Sequence, residues 1–386
     1  MKRSYEIFGL VRFFFIFIAL LWVLSKLEPT NNRPTSSLET SDPRLIELIS
    51  QINRMQNLNN QGQYLQALSL TEKIEQPILD NPGITSEWRY RYFLNCGDIH
   101  WNLWHFVDAE DCWQKAMKEP FQTSRKALQE RLRQLSQTLK DANQERTQQL
   151  RYDAAPRTGP AAELKGKIAV AYVFVKLPGS DDWSIKNRQA AGNAWLQANR
   201  WLSDRARDYQ QTVRFSQRLF VVDRHPALKR IKINSDRDAQ RQADKIIRVA
   251  MNALGAPSAR AFIQKIKAQE KADQVILLFH VNQKRRSFAF PCRVACNSYF
   301  SEFAFVYEAS GFKRWQSMQY AMAHESLHLF GADDLYNING AQYYSPRDIM
   351  NYPSRHLYAS QLDELTAWSV GLKKQQPATP FPVKKY

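Results

Sequence analysis

Hydrophobic positions divide the chain into three stretches with different periodicities. The first stretch carries positive charge at Lys2, Arg3 and Arg12, followed by an unbroken apolar run over Phe13–Leu24. This run is typical of a signal-peptide core and is shorter than the roughly 20 residues of an ordinary membrane-spanning helix. No small-residue cleavage site follows it. We therefore predict an uncleaved signal anchor over residues 1–26, with a cleaved signal peptide as the alternative.

The charge in front of the apolar run predicts where the rest of the chain goes. Positive residues before such a run keep the N-terminus in the cytoplasm and export the part of the chain after the run. We expect a membrane-anchored protein whose body is exported, to the periplasm or the extracellular space; secretion after cleavage is the alternative. Residues 27–43 are polar and contain proline, which predicts a spacer.

Residues 44–152 have a helical pattern that is weakly repetitive. The pattern Gly62-x-Tyr64-x-x-Ala67 recurs in degenerate form around Phe106-x-x-Ala109. The second copy resembles a tetratricopeptide repeat, in which small residues let paired helices approach closely. Its matching positions are Gly97, Ala109, Trp113, Ala116 and Pro120. We predict a tetratricopeptide-like domain that can dock a protein partner, with an unrelated helical hairpin domain as the alternative.

The third stretch alternates strand-like and helix-like segments. Two prolines and a glycine predict a linker over 153–163. From residue 164 to 375, buried β-branched runs such as Ile168–Val175 alternate with amphipathic helical segments, and 376–386 forms a tail. This order predicts an α+β domain with a mixed twisted sheet, a helix near 312–330 and a C-terminal helix near 360–372.

Composition excludes some functions and leaves others open. The chain has 54 Lys and Arg against 37 Asp and Glu, but they are spread along its length and no nucleic-acid motif is present. We therefore predict no nucleic-acid binding. Only four cysteines occur in 386 residues, so the fold does not depend on a disulfide framework. Local pairs, Cys96 with Cys112 and Cys292 with Cys296, are possible after export; buried free thiols are the alternative.

A His-Glu-x-x-His segment carries the candidate chemistry. Residues four apart on a helix differ by about 40° in direction and about 6 Å in height, so His324 and His328 can reach one metal ion. Glu325 flanks the same face and can take a proton from a metal-activated water. Gly331 can end the helix with a sharp turn that brings Asp334 back toward the metal.

With Asp348-Ile349-Met350-Asn351-Tyr352 downstream, the pattern His-Glu-x-x-His-x-x-Gly-x-x-Asp resembles the metzincin clan of zinc peptidases, and its Asp resembles the snapalysin-like members. The resemblance implies a zinc ion held by His324, His328 and Asp334. It also implies Met350 in a Met-turn beneath the metal and a catalytic Tyr352 that stabilises the oxyanion. Most of the clan uses His as third ligand, so Asp333 stays open as the alternative to Asp334.

Together these features predict a zinc-dependent endopeptidase with Glu325 as the general base and a protein or peptide substrate. A catalytically inactive, zinc-binding scaffold or adaptor at the membrane is the alternative from another class. A zinc hydrolase acting on a non-peptide amide is a third hypothesis, less favoured because His-Glu-x-x-His is mostly associated with peptide bonds.

Overall fold

A computed structural model of the chain describes most of its body. The described residues are 42–121, 125–144, 149–292, 301–308, 314–351 and 356–385. The chain divides into two units, Met1–Glu47 and Leu48–Tyr386. Only the last residues of the first unit are described, so the predicted anchor and nearly all of the predicted spacer lie outside the described residues. Within the described part, no helix combines the length and the apolar character needed to cross a membrane.

The fold is α+β, as predicted, and its described part contains ten α-helices and a mixed five-stranded sheet. The helices are α1 (Pro43–Asn60), α2 (Tyr64–Asp80), α3 (Ser86–Leu103), α4 (Phe106–Lys118), α5 (Arg125–Gln144), α6 (Ile185–Asp208), α7 (Asp236–Ala253), α8 (Ala259–Glu270), α9 (Arg314–Leu329) and α10 (Glu364–Ser369). The strands are β1 (Tyr152–Ala154), β2 (Gly166–Val175), β3 (Val213–Val222), β4 (Gln274–Lys284), β5 (Phe288–Phe290), β6 (Phe303–Glu308) and β7 (Val383–Lys385).

The five-stranded sheet has the order β3-β2-β4-β6-β5. Strands β2, β3, β4 and β6 pair in parallel, and β5 pairs antiparallel with β6. Strand β6 is not at an edge of this sheet, because β4 and β5 flank it on its two sides. Strand β5 forms that edge of the sheet instead.

Alternation along the central strand β2 builds a core on each face of the sheet. One set of its residues, including Tyr172 and Phe174, packs with side chains of α6 and α9. The other set, including Val173 and Val175, packs with α7 and α8. Covering both faces explains the continuous apolar run in the sequence, since a strand buried on both sides shows no polar positions. Helix α9, which carries the candidate site, therefore rests directly on the sheet.

Helices α2 to α5 form a helical layer in which consecutive helices pack on each other. Gly97 of α3 faces the indole of Trp113 in α4, and a Cβ at this position would lie only 2.2 Å from the ring. This contact agrees with the close helix approach that the small residue predicted. Cys96 and Cys112 form a disulfide between the same two helices. Cys292 is also disulfide-bonded, and Cys296 lies outside the described residues.

The segment predicted as a linker is part of the folded body. Its start overlaps β1, which pairs in parallel with β7 from the predicted tail. Ala161 and Leu164 are fully buried, and Ala155 N donates a hydrogen bond to Gly331 O. The few apolar residues in this stretch do not form a periodic pattern, because each one is buried by a contact with a segment distant in sequence. The assignment of separate domains stays a prediction.

Candidate metal centre

Helix α9 ends where the sequence required it to end. Gly331 N donates to His328 O, and Ala332 N donates to Leu327 O, which is the paired bonding of a glycine-terminated helix. Gly331 has a φ of +111°, and a Cβ there would lie 3.0 Å from Ser369 O and 3.1 Å from Ala155 O. Both the conformation and the crowding favour glycine. The chain reverses here and returns to the face that carries the two histidines.

The reversal brings three predicted ligands together. The Oδ1 atom of Asp334 lies 3.1 Å from His324 Nε2 and 3.2 Å from His328 Nε2. Donor atoms about 2.0–2.1 Å from a tetrahedral ion are separated by roughly 3.3 Å, so this spacing fits a common cation. The same Oδ1 is buried and makes no hydrogen bond of acceptable geometry. A cation seated between the three atoms would satisfy it.

Backbone carbonyls set the orientation of both imidazoles. His324 Nδ1 lies 2.9 Å from Ile349 O, and His328 Nδ1 lies 2.9 Å from Ala332 O. A carbonyl oxygen can only accept, so each Nδ1 carries a proton and donates it. In the neutral rings this leaves both Nε2 lone pairs facing Asp334. Histidine ligands in metal sites are usually held in this way.

Charges in the cluster show what a cation would replace. Burial lowers the pKa of His328, but the Asp334 carboxylate outweighs it and raises that pKa to about 9. Burial likewise raises the pKa of Asp334, but the charge of His328 holds it well below its ordinary value. The two groups therefore stabilise each other's charged forms. A bound cation would take the place of the positive charge on His328.

The neighbouring carboxylate of Asp333 points elsewhere. Its Oδ2 accepts a hydrogen bond from Asp153 N at 3.0 Å, and its own N donates to Tyr152 Oη at 2.9 Å. Both partners lie in the segment around β1. The structure thus brings Asp334, not Asp333, to the two histidines.

Glu325 lies beside the same cluster and is buried. Burial raises the pKa of its carboxyl group, the charges of His324 and His328 oppose that rise, and the charge of Asp334 adds to it. A carboxyl group whose pKa is shifted upward is better suited to exchange protons near neutral pH. The position and the electrostatics of Glu325 are therefore compatible with the predicted general base.

A short backbone segment, residues 347–351, supports the candidate metal ligands; we call it the support segment. Besides His324 Nδ1, Ile349 O accepts the hydroxyl of Tyr320. Met350 is fully buried, and its O accepts a hydrogen bond from Leu335 N, next to Asp334. The backbone of Ile349 and Met350 thus bonds both His324 and the residue next to Asp334. Tyr352, the predicted oxyanion residue, lies outside the described residues.

The buried carboxylate of Asp348 fixes the support segment through hydrogen bonds. It accepts hydrogen bonds from Met350 N at 2.7 Å, Asp363 N at 2.7 Å and Thr366 Oγ1 at 3.1 Å. Burial raises its pKa well above the ordinary value, and the charge of Asp363 adds to this. Sequence reasoning assigned no role to Asp348, although its place before the Ile-Met pair was a signal.

Two tyrosines and an arginine near the site were also missed. The His324 ring lies between Tyr320 and Tyr336, with ring centroids 5.9 and 6.2 Å away and planes within 20° and 13° of parallel. Tyr336 hydrogen-bonds Asp334, and its Oη accepts a bond from Arg286 Nη2 at 2.7 Å. Tyr320 is one helical turn before His324, which was a usable signal. Arg286 is distant in sequence and gave none.

Two further groups of possible metal ligands occur within the described residues, and both lie in the helical layer. One joins Cys96 and Cys112 to His100, but the two sulfurs are bonded to each other. The other joins His100 and His105 to Asp108, and the positive charge of Arg347 faces it. Burial and that charge lower the pKa of both histidines to about 3. A nearby guanidinium opposes cation binding, so the group at His324 is the most suitable of the three.

Comparison with known proteins gives no assignment. No protein-family model matches the chain, and no curated protein matches it in sequence.

Proposed function

We propose that this chain is a zinc-dependent endopeptidase. The observation that carries the proposal is the convergence of His324 Nε2, His328 Nε2 and Asp334 Oδ1, with both Nδ1 protons held by backbone carbonyls. Two imidazoles and one carboxylate are a ligand set typical of catalytic zinc, which keeps a further position for water. The resemblance to metzincins rests on the same residues and supports this choice of metal and reaction.

Zinc, when bound, acidifies a water molecule and polarises the scissile carbonyl group. Glu325 then takes the proton of the attacking water and delivers it to the leaving amine. Burial suits Glu325 to both steps, because it raises the pKa of the carboxyl group toward neutral pH. The carbonyls of Ile349 and Ala332 keep the imidazoles in one tautomer throughout.

A tyrosine hydroxyl is proposed to stabilise the oxyanion. The resemblance favours Tyr352 for this role, and the structure adds Tyr336 as a second candidate. Arg286 donates to the Tyr336 hydroxyl and so occupies an acceptor position of its oxygen. The phenolic proton of Tyr336 then points away from Arg286, and its hydrogen-bond partner in this structure is Asp334. Replacing each tyrosine with Phe and measuring kcat and zinc content separates the two candidates.

The test of the proposed function compares four proteins. Wild type is expected to bind one equivalent of zinc and to cleave an unfolded protein such as casein. Glu325→Gln should bind zinc with unchanged affinity but lose at least about 100-fold in turnover, as general-base removal usually does. Asp334→Asn should lose zinc affinity, and its neighbour Asp333→Asn is the matched control that should keep it. Wild-type turnover by Glu325→Gln would refute the assigned mechanism.

Two further expectations concern the N-terminal segment, which lies outside the described residues, and the helical layer. We propose that the N-terminal segment holds the catalytic body at a membrane on its exported side, and that the helical layer recruits a protein partner or substrate. Zinc binding at one equivalent without hydrolysis of any protein or peptide library would instead support the inactive scaffold or adaptor.

A further inference from the structure

The helical layer touches the sheet body next to the metal ligands. Arg347 opens the support segment, and its guanidinium bonds two carboxylates of the helical layer. Nε donates to Asp108 Oδ2 of α4 at 3.1 Å, and Nη1 donates to Glu72 Oε1 of α2 at 2.8 Å. The arginine side chain is only 20% exposed. Asp108 is 22% exposed and Glu72 is 53% exposed, so the charge-assisted hydrogen bond to Asp108 holds Arg347 more firmly than the bond to Glu72.

From Arg347 a short path of backbone bonds leads to the metal ligands. Arg347 O accepts a hydrogen bond from Gln361 N, and Ile349 N donates to Gln361 O. These bonds pair the support segment with residue 361 in a short parallel bridge. The Asp348 carboxylate is held there by a hydrogen bond from Asp363 N. Two residues after Arg347, Ile349 O receives the Nδ1 proton of His324. A displaced Arg347 would therefore move the acceptor that orients a ligand.

Other contacts of the same layer reinforce this junction. The Tyr64 ring of α2 lies 6.3 Å from the His356 ring, and His105 lies close to the backbone of Ala359. Both partners come after the support segment in the chain. Arg347 is the charged contact of this set and lies nearest in sequence to Ile349.

We propose that Arg347 is a positioning residue through which α2 and α4 hold the support segment, and with it His324, in the metal-binding geometry. The helical layer is then a working part of the metal centre as well as a platform for partners. This inference rests on the proposed function for its catalytic consequence. Its consequence for metal affinity and for cooperative unfolding is independent of any activity.

The experiment compares Arg347→Met in the full chain with wild type and with Arg89→Met. The control removes an equivalent ion pair, Arg89 with Glu119 at 3.3 Å, inside the helical layer. Zinc affinity is measured on metal-free protein by competition with a chromophoric chelator. Arg347→Met should weaken zinc binding by about 10-fold to 100-fold, as loss of outer support for a ligand usually does. It should lower kcat with KM changed less than about twofold, and Arg89→Met should do neither.

A second variant keeps the inference testable if Arg347→Met folds poorly. Glu72→Gln with Asp108→Asn neutralises both acceptors and leaves Arg347 and the metal ligands in place. It should reproduce the loss of zinc affinity, and adding Arg347→Met to it should cause little further loss, because the interaction is already gone. Arg347→Lys should restore part of the affinity, since one ammonium group can bond only part of the pair.

Unfolding provides a readout that does not depend on zinc. We expect the helical layer and the sheet body of wild type to unfold in one transition. In the Glu72→Gln, Asp108→Asn double variant, we expect the two parts to unfold in two separate transitions. Wild-type zinc affinity and kcat in both variants would overturn the positioning role, even if their thermal stability fell. If wild type itself neither binds zinc nor cleaves protein, the proposed function fails, and the unfolding comparison alone decides whether Arg347 couples the two parts.

Discussion

We predict that a buried carboxyl group outside the candidate metal centre makes the stability of this protein depend on pH. Glu302 immediately precedes β6 and is 2% exposed. Its carboxyl group accepts hydrogen bonds from the backbone of Ala161 and of Cys292, which tie the segment after β1 to the sheet. Burial raises its pKa to about 7, against an ordinary value of 4.5, and the two hydrogen bonds oppose that rise. We predict that Glu302→Gln removes most of this pH dependence.

The sign and magnitude can be worked out from the two pKa values. A group whose folded pKa is raised contributes stability that is complete below its unfolded pKa and is lost as the pH rises through its folded pKa. For Glu302 the window therefore lies between about 4.5 and 7. Linkage with these values gives a loss of about 2.5 kcal/mol in the free energy of unfolding between pH 5 and pH 8. The glutamine has no proton to lose, so it lacks this contribution.

Urea unfolding of metal-free protein at several pH values between 5 and 8 measures the effect. The quantity of interest is the difference in unfolding free energy between wild type and Glu302→Gln as a function of pH. As the pH rises, the unfolding free energy of wild type should fall relative to that of Glu302→Gln. Glu364→Gln, which changes an exposed carboxylate, is the control for simple loss of charge. A difference that stays flat across this range would refute the reasoning.

Three further changes test the packing on which the site depends. Gly331→Ala should cost at least about 1–2 kcal/mol, because its positive φ is strained for a residue with a Cβ and two carbonyl oxygens lie at 3.0 and 3.1 Å; zinc titration should show a parallel loss of affinity. Gly97→Ala should destabilise by about 1–3 kcal/mol through overpacking against the indole, whereas Gly192→Ala, with no atom within 4 Å, should stabilise by about 0.5–1 kcal/mol in thermal unfolding. Replacing Cys96 and Cys112 with Ser should cost about 3 kcal/mol in denaturant unfolding, the usual value for a loop of this length.

Local signals in the sequence account for the parts of the site that were predicted. The two histidines, the glutamate and the glycine lie within one helix and its end, where spacing translates directly into geometry. The choice between Asp333 and Asp334 remained open, because both come after the turn and both are carboxylates. They are separated by two contacts that are distant in sequence: Asp153 N donates to the Asp333 carboxylate, and the Tyr152 hydroxyl accepts from Asp333 N.

The residues that were missed depend on contacts between distant segments. Arg286 lies on the loop after β4, and nothing in its local pattern indicates a partner at Tyr336. The position of β5 at the sheet edge likewise depends on which strand pairs with which, and alternation within a strand carries no information about its neighbours. The α+β class could be predicted because it depends only on the order of elements.

The candidate metal centre is held mainly by backbone atoms, and this determines where sequence change can be tolerated. The acceptors that orient the two imidazoles are carbonyl oxygens of Ile349 and Ala332, so the side chains at these positions do not provide the bond. The constraint falls instead on the residues that place the carbonyls. Gly331 places Ala332 by permitting the reversal. Asp348 places Ile349 by accepting hydrogen bonds from Met350 N, inside the support segment, and from Asp363 N, just before α10. Substitutions at these two residues should therefore disturb the ligands more than volume-conserving substitutions at the carbonyl positions themselves.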